Sequence, residues 1–333
     1  MTNLAFLSTA HTHTKSFLKA IDEKENCRVV AIWDDMASRG QGFAAAHGAD
    51  YSGDLDAVAA RDDVDGFIIC SENTRHLRLL KAAIPSRKPI FCEKPFTTTV
   101  AEASEALSLI REHGTIVHMG YFQPFSAQMQ GVIAYVDSGS LGKLTHARYR
   151  NAHHAAYGHW FDSPELAWFA DPELAGGGAF MDMGTHAVHL LRTVLGPVER
   201  VLANISNRSG IYAAVDDSGV ALLQFLSGCL ATVEASWIQT GGLSGLEVVG
   251  SEATLFNHPD QGYVTAEPRK KPRPVPEGAA KPARVDRLVA AIRGEIDSDE
   301  LEADLLCAVD AAAIMEACYA SSKAGSWVDV PAL

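Results

Sequence analysis

Three polar side chains carry the chemistry this sequence offers most plainly: Lys94, Asp182 and His186. Lys94 lies in Phe91-Cys92-Glu93-Lys94-Pro95, at the end of an apolar run. If that run is a strand, the pair Glu93-Lys94 sits at its carboxyl end, where open α/β sheets bind ligands. In isolation it would read as a solvated charge pair. Asp182 and His186 close the segment Gly176-Gly177-Gly178-Ala179-Phe180-Met181-Asp182-Met183-Gly184-Thr185-His186. They are four apart, so a helix would turn both to one side. A carboxylate beside an imidazole orients it and tunes its basicity, which is acid–base chemistry. His186 alone would read as a satisfied core histidine.

A second group reads as a nucleotide end. Ser8-Thr9-Ala10-His11-Thr12-His13 follows the first apolar run. A turn there would face backbone N–H groups and a helix N-terminus towards a pyrophosphate. Glycines usually supply such a turn, and here there are none. Ser8, Thr9 and Ala10 are small enough for close approach, and the hydroxyls can donate to phosphate. The plain alternative is a strand-to-helix turn with Thr12 as N-cap. Asp34 ends the second apolar run. Its carboxylate would accept both ribose hydroxyls and repel a 2′-phosphate, and Asp35 adds to that. Arg39 could reverse the preference by holding a phosphate. The balance favours NAD over NADP.

The segment from His153 to Asp171 is rich in rings: His153, His154, Tyr157, His159, Trp160, Phe161 and Trp168. Aromatic faces suit the C–H faces of sugars, and imidazoles suit their hydroxyls. His153, His154, His159 and Asp162 are also metal-ligand types. Adjacent histidines seldom aim at one ion, so no metal is expected.

The elements that would position these groups follow from periodicity. Leu4–Leu7, Val29–Trp33, Val64–Cys70, Pro89–Cys92 and Ile116–Met119 are continuous apolar strands alternating with helical patterns. That pattern predicts a parallel, doubly wound Rossmann-like sheet covered on both faces. After Gly120 strands follow one another: Leu144–Asn151, Val201–Asn207, Val220–Phe225, Cys229–Trp237 and Leu246–Val249. Between Cys229 and Trp237 apolar and more polar residues alternate, which predicts one covered face. The expected class is α/β: a Rossmann domain over residues 1–120, then an α+β domain over 121–333 with an open, largely antiparallel sheet. Glu267–Pro282 reads as a surface loop, and helices near Arg284–Arg293 and Glu302–Ser322 end the chain.

Taken together, Glu93-Lys94-Pro95, Gly176-Gly177-Gly178 with Asp182-x-Gly184-x-His186, Asn73 and His76, and Leu246-Glu247-Val248-Val249-Gly250-Ser251-Glu252 resemble the Gfo/Idh/MocA oxidoreductases over essentially the full length. The resemblance implies NAD(P)-dependent hydride transfer at a secondary alcohol or ketone of a sugar, inositol or related polyol. It makes Lys94 the motif lysine, with Asp182 and His186 as the catalytic-pocket pair. His186 would take the hydroxyl proton, Lys94 would stabilise the alkoxide, and Asp182 would orient His186. Spacing leaves open which of Lys94 and His186 carries the proton. Ser8, Thr9, Ala10, His11, His13, Asp34, Arg39, Ser71, Asn73, His76, Glu93 and Lys94 are the cofactor candidates. Tyr121, Gln123, His154, Tyr157, Trp160, Trp168 and His186 are the substrate candidates. Two departures stand out: the glycine-free turn, and Phe122-Gln123-Pro124-Phe125 where the family often has an Asn-Arg-Arg-Phe-like run. Two alternatives within this fold are an NAD-dependent glycoside hydrolase and a non-catalytic dinucleotide-sensing regulator. Retention of Lys94, Asp182 and His186 favours chemistry.

Bulk properties narrow the rest. A formal net charge of −13 argues against binding nucleic acid or an anionic membrane. The six cysteines form no CxxC pair and read as reduced, buried thiols. No signal peptide and no bilayer-spanning run are apparent, so a cytoplasmic enzyme is expected. A half-polar sheet face suggests a homodimer or homotetramer.

Overall fold

The computed structural model describes residues 1–333. The first part runs β1 (Thr2–Leu7), α1 (Thr14–Asp22), β2 (Cys27–Trp33), α2 (Ala37–His47), β3 (Asp50–Ser52), α3 (Leu55–Ala59), β4 (Gly66–Ile69), α4 (His76–Ala83), β5 (Ile90–Cys92), α5 (Val100–His113) and β6 (Val117–Met119). The strands form one parallel sheet in the order β3-β2-β1-β4-β5-β6. The order turns back between β1 and β4, which makes a crevice at their carboxyl ends. Leu4 to Leu7 and Phe67 to Ile69 are wholly buried, because helices cover both faces. Helix α5 starts at Thr99, whose side chain accepts from Glu102 N, and stops at Gly114 with φ +66°.

The second part runs α6 (Ala127–Asp137), β7 (Leu144–Ala152), α7 (Pro172–Ala175), α8 (Thr185–Leu195), β8 (Val198–Ser206), β9 (Ser218–Phe225), β10 (Leu230–Ser236), β11 (Gly245–Gly250), β12 (Thr254–His258), β13 (Gly262–Ala266) and β14 (Arg273–Pro274). Helices α9 (Val285–Ile292) and α10 (Ser298–Ala324) and strand β15 (Val328–Asp329) complete it. Nine strands make a mixed sheet in the order β14-β13-β12-β11-β7-β10-β9-β8-β15, parallel only between β7 and β10. On β10, Ala231, Val233 and Ala235 are buried, while Leu230, Thr232, Glu234 and Ser236 are half-exposed, as alternation predicts.

The last helices cross back over the first domain. Val285, Leu288 and Val289 of α9 pack with Phe6, Phe17 and Ile68. Leu305, Ala308, Val309 and Ala312 of α10 pack with Leu79, Ala103 and Leu107, whereas Ala311, Ile314, Met315, Ala317 and Cys318 join the core of the second sheet. A division at residue 120 therefore leaves helical stretches of 285–312 in one unit by sequence and in the other by packing. Helix α10 also corrects the expectation that no apolar run could span a bilayer. It has 27 residues and an 18-residue window of mean hydropathy 1.3. Of that window 61% is buried between the two cores, and a helix apolar all round is what such a position needs.

Candidate active site

Lys94 leaves the end of β5 and crosses to the second domain. The turn behind it is pinned from below: His76, wholly buried at the start of α4, donates from Nδ1 to the Pro95 carbonyl at 2.7 Å. Gly120, just past β6, must lack a side chain here, since a Cβ would stand 2.6 Å from Glu93 Oε2.

Asp182 arrives on a different kind of element. Residues Phe180–Gly184 form a π-helical turn that runs directly into α8, so Asp182 and His186 do not share one regular α-helix. Such turns are rare and cluster at functional sites. Its start is held by Asp216, which accepts from Gly178 N at 2.8 Å, Phe180 N at 2.7 Å and the Tyr319 hydroxyl at 2.9 Å. At Gly178 a Cβ would lie 1.9 Å from the Asp216 carbonyl oxygen, so no other residue fits.

The three groups meet at the domain junction. Lys94 Nζ donates to Asp182 Oδ1 at 2.7 Å, and Trp237 Nε1 donates to Asp182 Oδ2 at 3.0 Å. Asp182, expected to orient His186, makes no hydrogen bond to it. An ammonium is the stronger partner for a carboxylate, and the indole takes the other oxygen. Burial would raise the Asp182 carboxyl, but the Lys94 charge and the bonds from Lys94 and Trp237 hold it below the usual range. His186 is half-buried beside the rings of Tyr121 and Phe122. Burial first, then the Lys94 cation, keep its imidazole well below its ordinary value, hence neutral at pH 7.

Lys94, Asp182 and His186 line one cavity of about 320 Å³ with His11, His13, Gln123, His153, Trp160 and Arg284 among its walls. Of the substrate candidates, Gln123, Trp160 and His186 reach it. Four do not. Tyr121 is buried beneath, its hydroxyl on Thr185 at 2.6 Å. Trp168 is buried and donates to the Ala10 carbonyl at 3.2 Å, so this loop covers the nucleotide turn instead. His154 and Tyr157 face outward. Phe161, one of the rings of the His153–Asp171 segment, lines the cavity as well, whereas Asn151, Phe169 and Arg284 were not foreseen.

A second cleft, lined by Thr9, Ala10, Thr12, Lys15 and Arg39, adjoins the first through His11, Thr12 and Leu166. Ser8 stands at φ +71°, the left-handed conformation a glycine would normally take in this turn. His13, not Thr12, occupies the N-cap of α1, and no side chain caps that helix. Thr14 N donates to the His11 carbonyl, which leaves Lys15 N and Ser16 N free to face an anion. His11 Nδ1 accepts from His13 N, and its Nε2 is buried without a partner. Burial lowers His11 to about 3, so it is a neutral donor. A free helix terminus, small turn residues and an orphan donor along one cleft fit a dinucleotide.

The acidic end differs from expectation. Asp34 is 1% exposed and already accepts from Thr9 N, Thr9 Oγ1, Met36 N and the Arg39 guanidinium. Its lone pairs are engaged, so ribose hydroxyls must displace one of these donors. Arg39 is spent on Asp34 and Asp35, and Arg75 pairs with Asp35. Asn73 donates to the Ala175 carbonyl at 2.8 Å, tying the domains together, and Ser71 is wholly buried, bonded to the Glu72 carbonyl.

Glu93 is also turned inward. Its Oε1 pairs with His13 Nδ1 at 2.9 Å and its Oε2 accepts from Lys94 N at 3.0 Å. Burial opposes its ionisation, but the imidazoles of His11 and His13 and the Lys94 ammonium hold it below the usual range. His11, His13 and Glu93 bring ligand-type atoms within 4.8 Å of one another. Of these, only His13 and Glu93 are bonded to each other through their side chains.

A Rossmann sheet with a nucleotide cleft that opens on a Lys–Asp–His cavity defines a dinucleotide-linked oxidoreductase. The family description "Oxidoreductase family, NAD-binding Rossmann fold" matches residues 9–121, and "GFO/IDH/MocA C-terminal domain" matches residues 129–256. The chain belongs to the Gfo/Idh/MocA oxidoreductase family. It is 28% identical over 227 residues to the uncharacterized oxidoreductase YrbE of Bacillus subtilis (strain 168), covering 67% of this chain and 63% of that protein, just under two thirds of its length. It is 25% identical to the inositol 2-dehydrogenase of Rhizobium meliloti (strain 1021), over 72% of this chain and 71% of that one. An inositol dehydrogenase homolog complexed with NAD+ from Azotobacter vinelandii shares the fold, with a TM-score of 0.84 at 20% identity, covering 98% of this chain and 97% of that one.

Proposed function

We propose that the protein is a dehydrogenase that moves a hydride between nicotinamide and a secondary carbinol of a sugar, inositol or related polyol, with NAD preferred. One observation carries the reading: Lys94 from one domain and Asp182 and His186 from the other share a cavity continuous with the nucleotide cleft. The relatives' names support the substrate class.

Bound nicotinamide supplies the hydride acceptor, or the donor in reduction. The chain's own groups manage the proton. Neutral His186 accepts the hydroxyl proton as the carbinol is oxidised. Lys94 donates a hydrogen bond to the same oxygen, where negative charge grows. Asp182 and Trp237 fix Lys94 in that direction rather than acting on His186. Around the adenosine end, Asp34, Asp35 and Glu72 outnumber Arg39 and Arg75, and Arg39 is already paired. That balance disfavours a 2′-phosphate. We place the enzyme in the cytoplasm, as a homodimer or homotetramer formed through the open face of the second sheet.

The test is to incubate the purified chain with NAD and NADP against aldoses, inositols and sugar acids, following NADH absorbance. Dinucleotide binding with no reduction of either coenzyme by any of these would refute the reading. Release of free sugar from glycosides without net NADH would replace it with the hydrolase alternative.

A further inference from the structure

Arg284 stands out among the cations of this cavity because nothing neutralises it. Lys94 is paired with Asp182. Three residues beyond Arg284, the buried Arg287 is paired with Glu300 and Asp304. The Arg284 side chain makes no ion pair and no hydrogen bond in the protein, and its Nε is buried without a partner. Glu93, the acid whose charge acts on Arg284, has both oxygens engaged by His13 and by Lys94 N.

The guanidinium is nevertheless held in place. It lies 4.1 Å from the ring centre of Phe122 and 5.8 Å from that of Phe17, so its flat face is fixed and its edge is left free. Its backbone is at φ 54°, ψ −125°, a region that disfavours any residue with a Cβ. Strain of that kind persists where the surroundings demand a position. The residue lines the cavity of Lys94 and His186, and it does not line the nucleotide cleft, where Lys15 and Arg39 stand.

We infer that Arg284 binds a carboxylate of the substrate, which makes the substrate a polyhydroxy acid rather than a neutral polyol. The inference rests on the dehydrogenase reading and narrows its substrate. A planar fork of donors matches one carboxylate in a bidentate pair. A neutral sugar would exclude water from this charge and offer nothing of opposite sign, at a high desolvation cost. One free cation is also a poor match for a phosphate dianion.

The test uses matched sets of a polyol, the corresponding sugar acid and the corresponding phosphate ester, with the full chain and its Arg284→Gln and Arg284→Lys variants. Oxidation is followed by NADH formation, and NADH affinity by fluorescence titration. Thermal stability of each NADH complex is read with and without the acids. In the unmodified enzyme the acid is expected to exceed its polyol in kcat/KM on the order of a hundredfold. Arg284→Gln is expected to erase that ratio through KM, with NADH affinity unchanged, and Arg284→Lys to restore part of it. Equal use of polyol and acid, a preference for the phosphate ester, or weaker NADH binding in Arg284→Gln would each overturn the inference and leave the dehydrogenase standing. So would acids that are neither oxidised nor stabilising while NADH binds. Failure to bind NADH at all would instead bring down the dehydrogenase reading.

Discussion

Replacing Asp182 by Asn tests the wiring of the site. The carboxylate receives Lys94 on one oxygen and Trp237 on the other. Asn has a single acceptor oxygen, so one of the two donors must face its NH2 group. The Lys94 and Asp182 side chains are only 4% and 14% exposed. At their separation of 2.7 Å and an effective dielectric of about 20, the attraction is about 6 kcal/mol. Desolvation of both ions cancels part of this, and removing one partner of such a pair costs about 3–5 kcal/mol. Trp237→Phe removes only the neutral donor and should cost about 1.5–3 kcal/mol. Urea unfolding at pH 7 should therefore rank Asp182→Asn below Trp237→Phe and both below the unmodified chain. The pH dependence has a fixed sign. The folded-state Asp182 carboxyl lies below its unfolded value of about 3.9. Its stabilisation is thus complete above that value and is lost as pH falls through the folded one. The gap between Asp182→Asn and the unmodified chain should stay constant from about pH 5 to 8 and begin to narrow below about pH 4. Turnover of Asp182→Asn should fall about a hundredfold or more, since Lys94 loses its anchor. Coincident urea curves at pH 7, or a gap that widens on acidification, would refute the pairing.

Three other outcomes follow from the same geometry. His186→Gln should lower kcat about 10²–10⁴-fold with NADH affinity unchanged, and the unmodified enzyme's acid limb in kcat/KM should lie below about pH 6.5, because burial and Lys94 depress this imidazole. A limb above that value would remove His186 as the base. Gly178→Ala should destabilise by about 3 kcal/mol or more, since its methyl overlaps the Asp216 carbonyl; a thermal melt within a degree or two of the parent would contradict this. Asp34→Ala should narrow the preference for NAD over NADP about tenfold or more in kcat/KM, and NADP being the better coenzyme of the unmodified protein would overturn the assignment.

Much of the fold was legible because its core strands are buried on both faces. Leu4–Leu7 and Phe67–Ile69 are apolar at every position, and between helical periods such runs have few other readings. The elements that escaped lack that signal. Strand β3 has three residues, none fully buried, and in β12 and β13 the apolar positions do not alternate cleanly. Helix α10 was legible as a helix but not as the element shared by both cores, since its apolar residues surround it.

The site divides along a similar line. Residue types marked Lys94, Asp182 and His186, but not which bonds they make, because Trp237 and Asp216 arrive from the β9–β10 region of the second sheet with no motif around them. Arg284 was hidden for the opposite reason. A cation at the end of a Pro- and Lys-rich stretch looks solvated, and only the fold shows that its ring partners Phe17 and Phe122 come from separate segments to hold it. Periodicity reports the face each element buries in its own domain. Here Asn73 on Ala175, Thr74 on Glu173, Trp168 on Ala10 and Lys94 on Asp182 are all bonds between domains. The site's charges are therefore set by docking. A substitution that loosens this junction should shift Lys94 and Asp182 together while leaving each domain's own core intact.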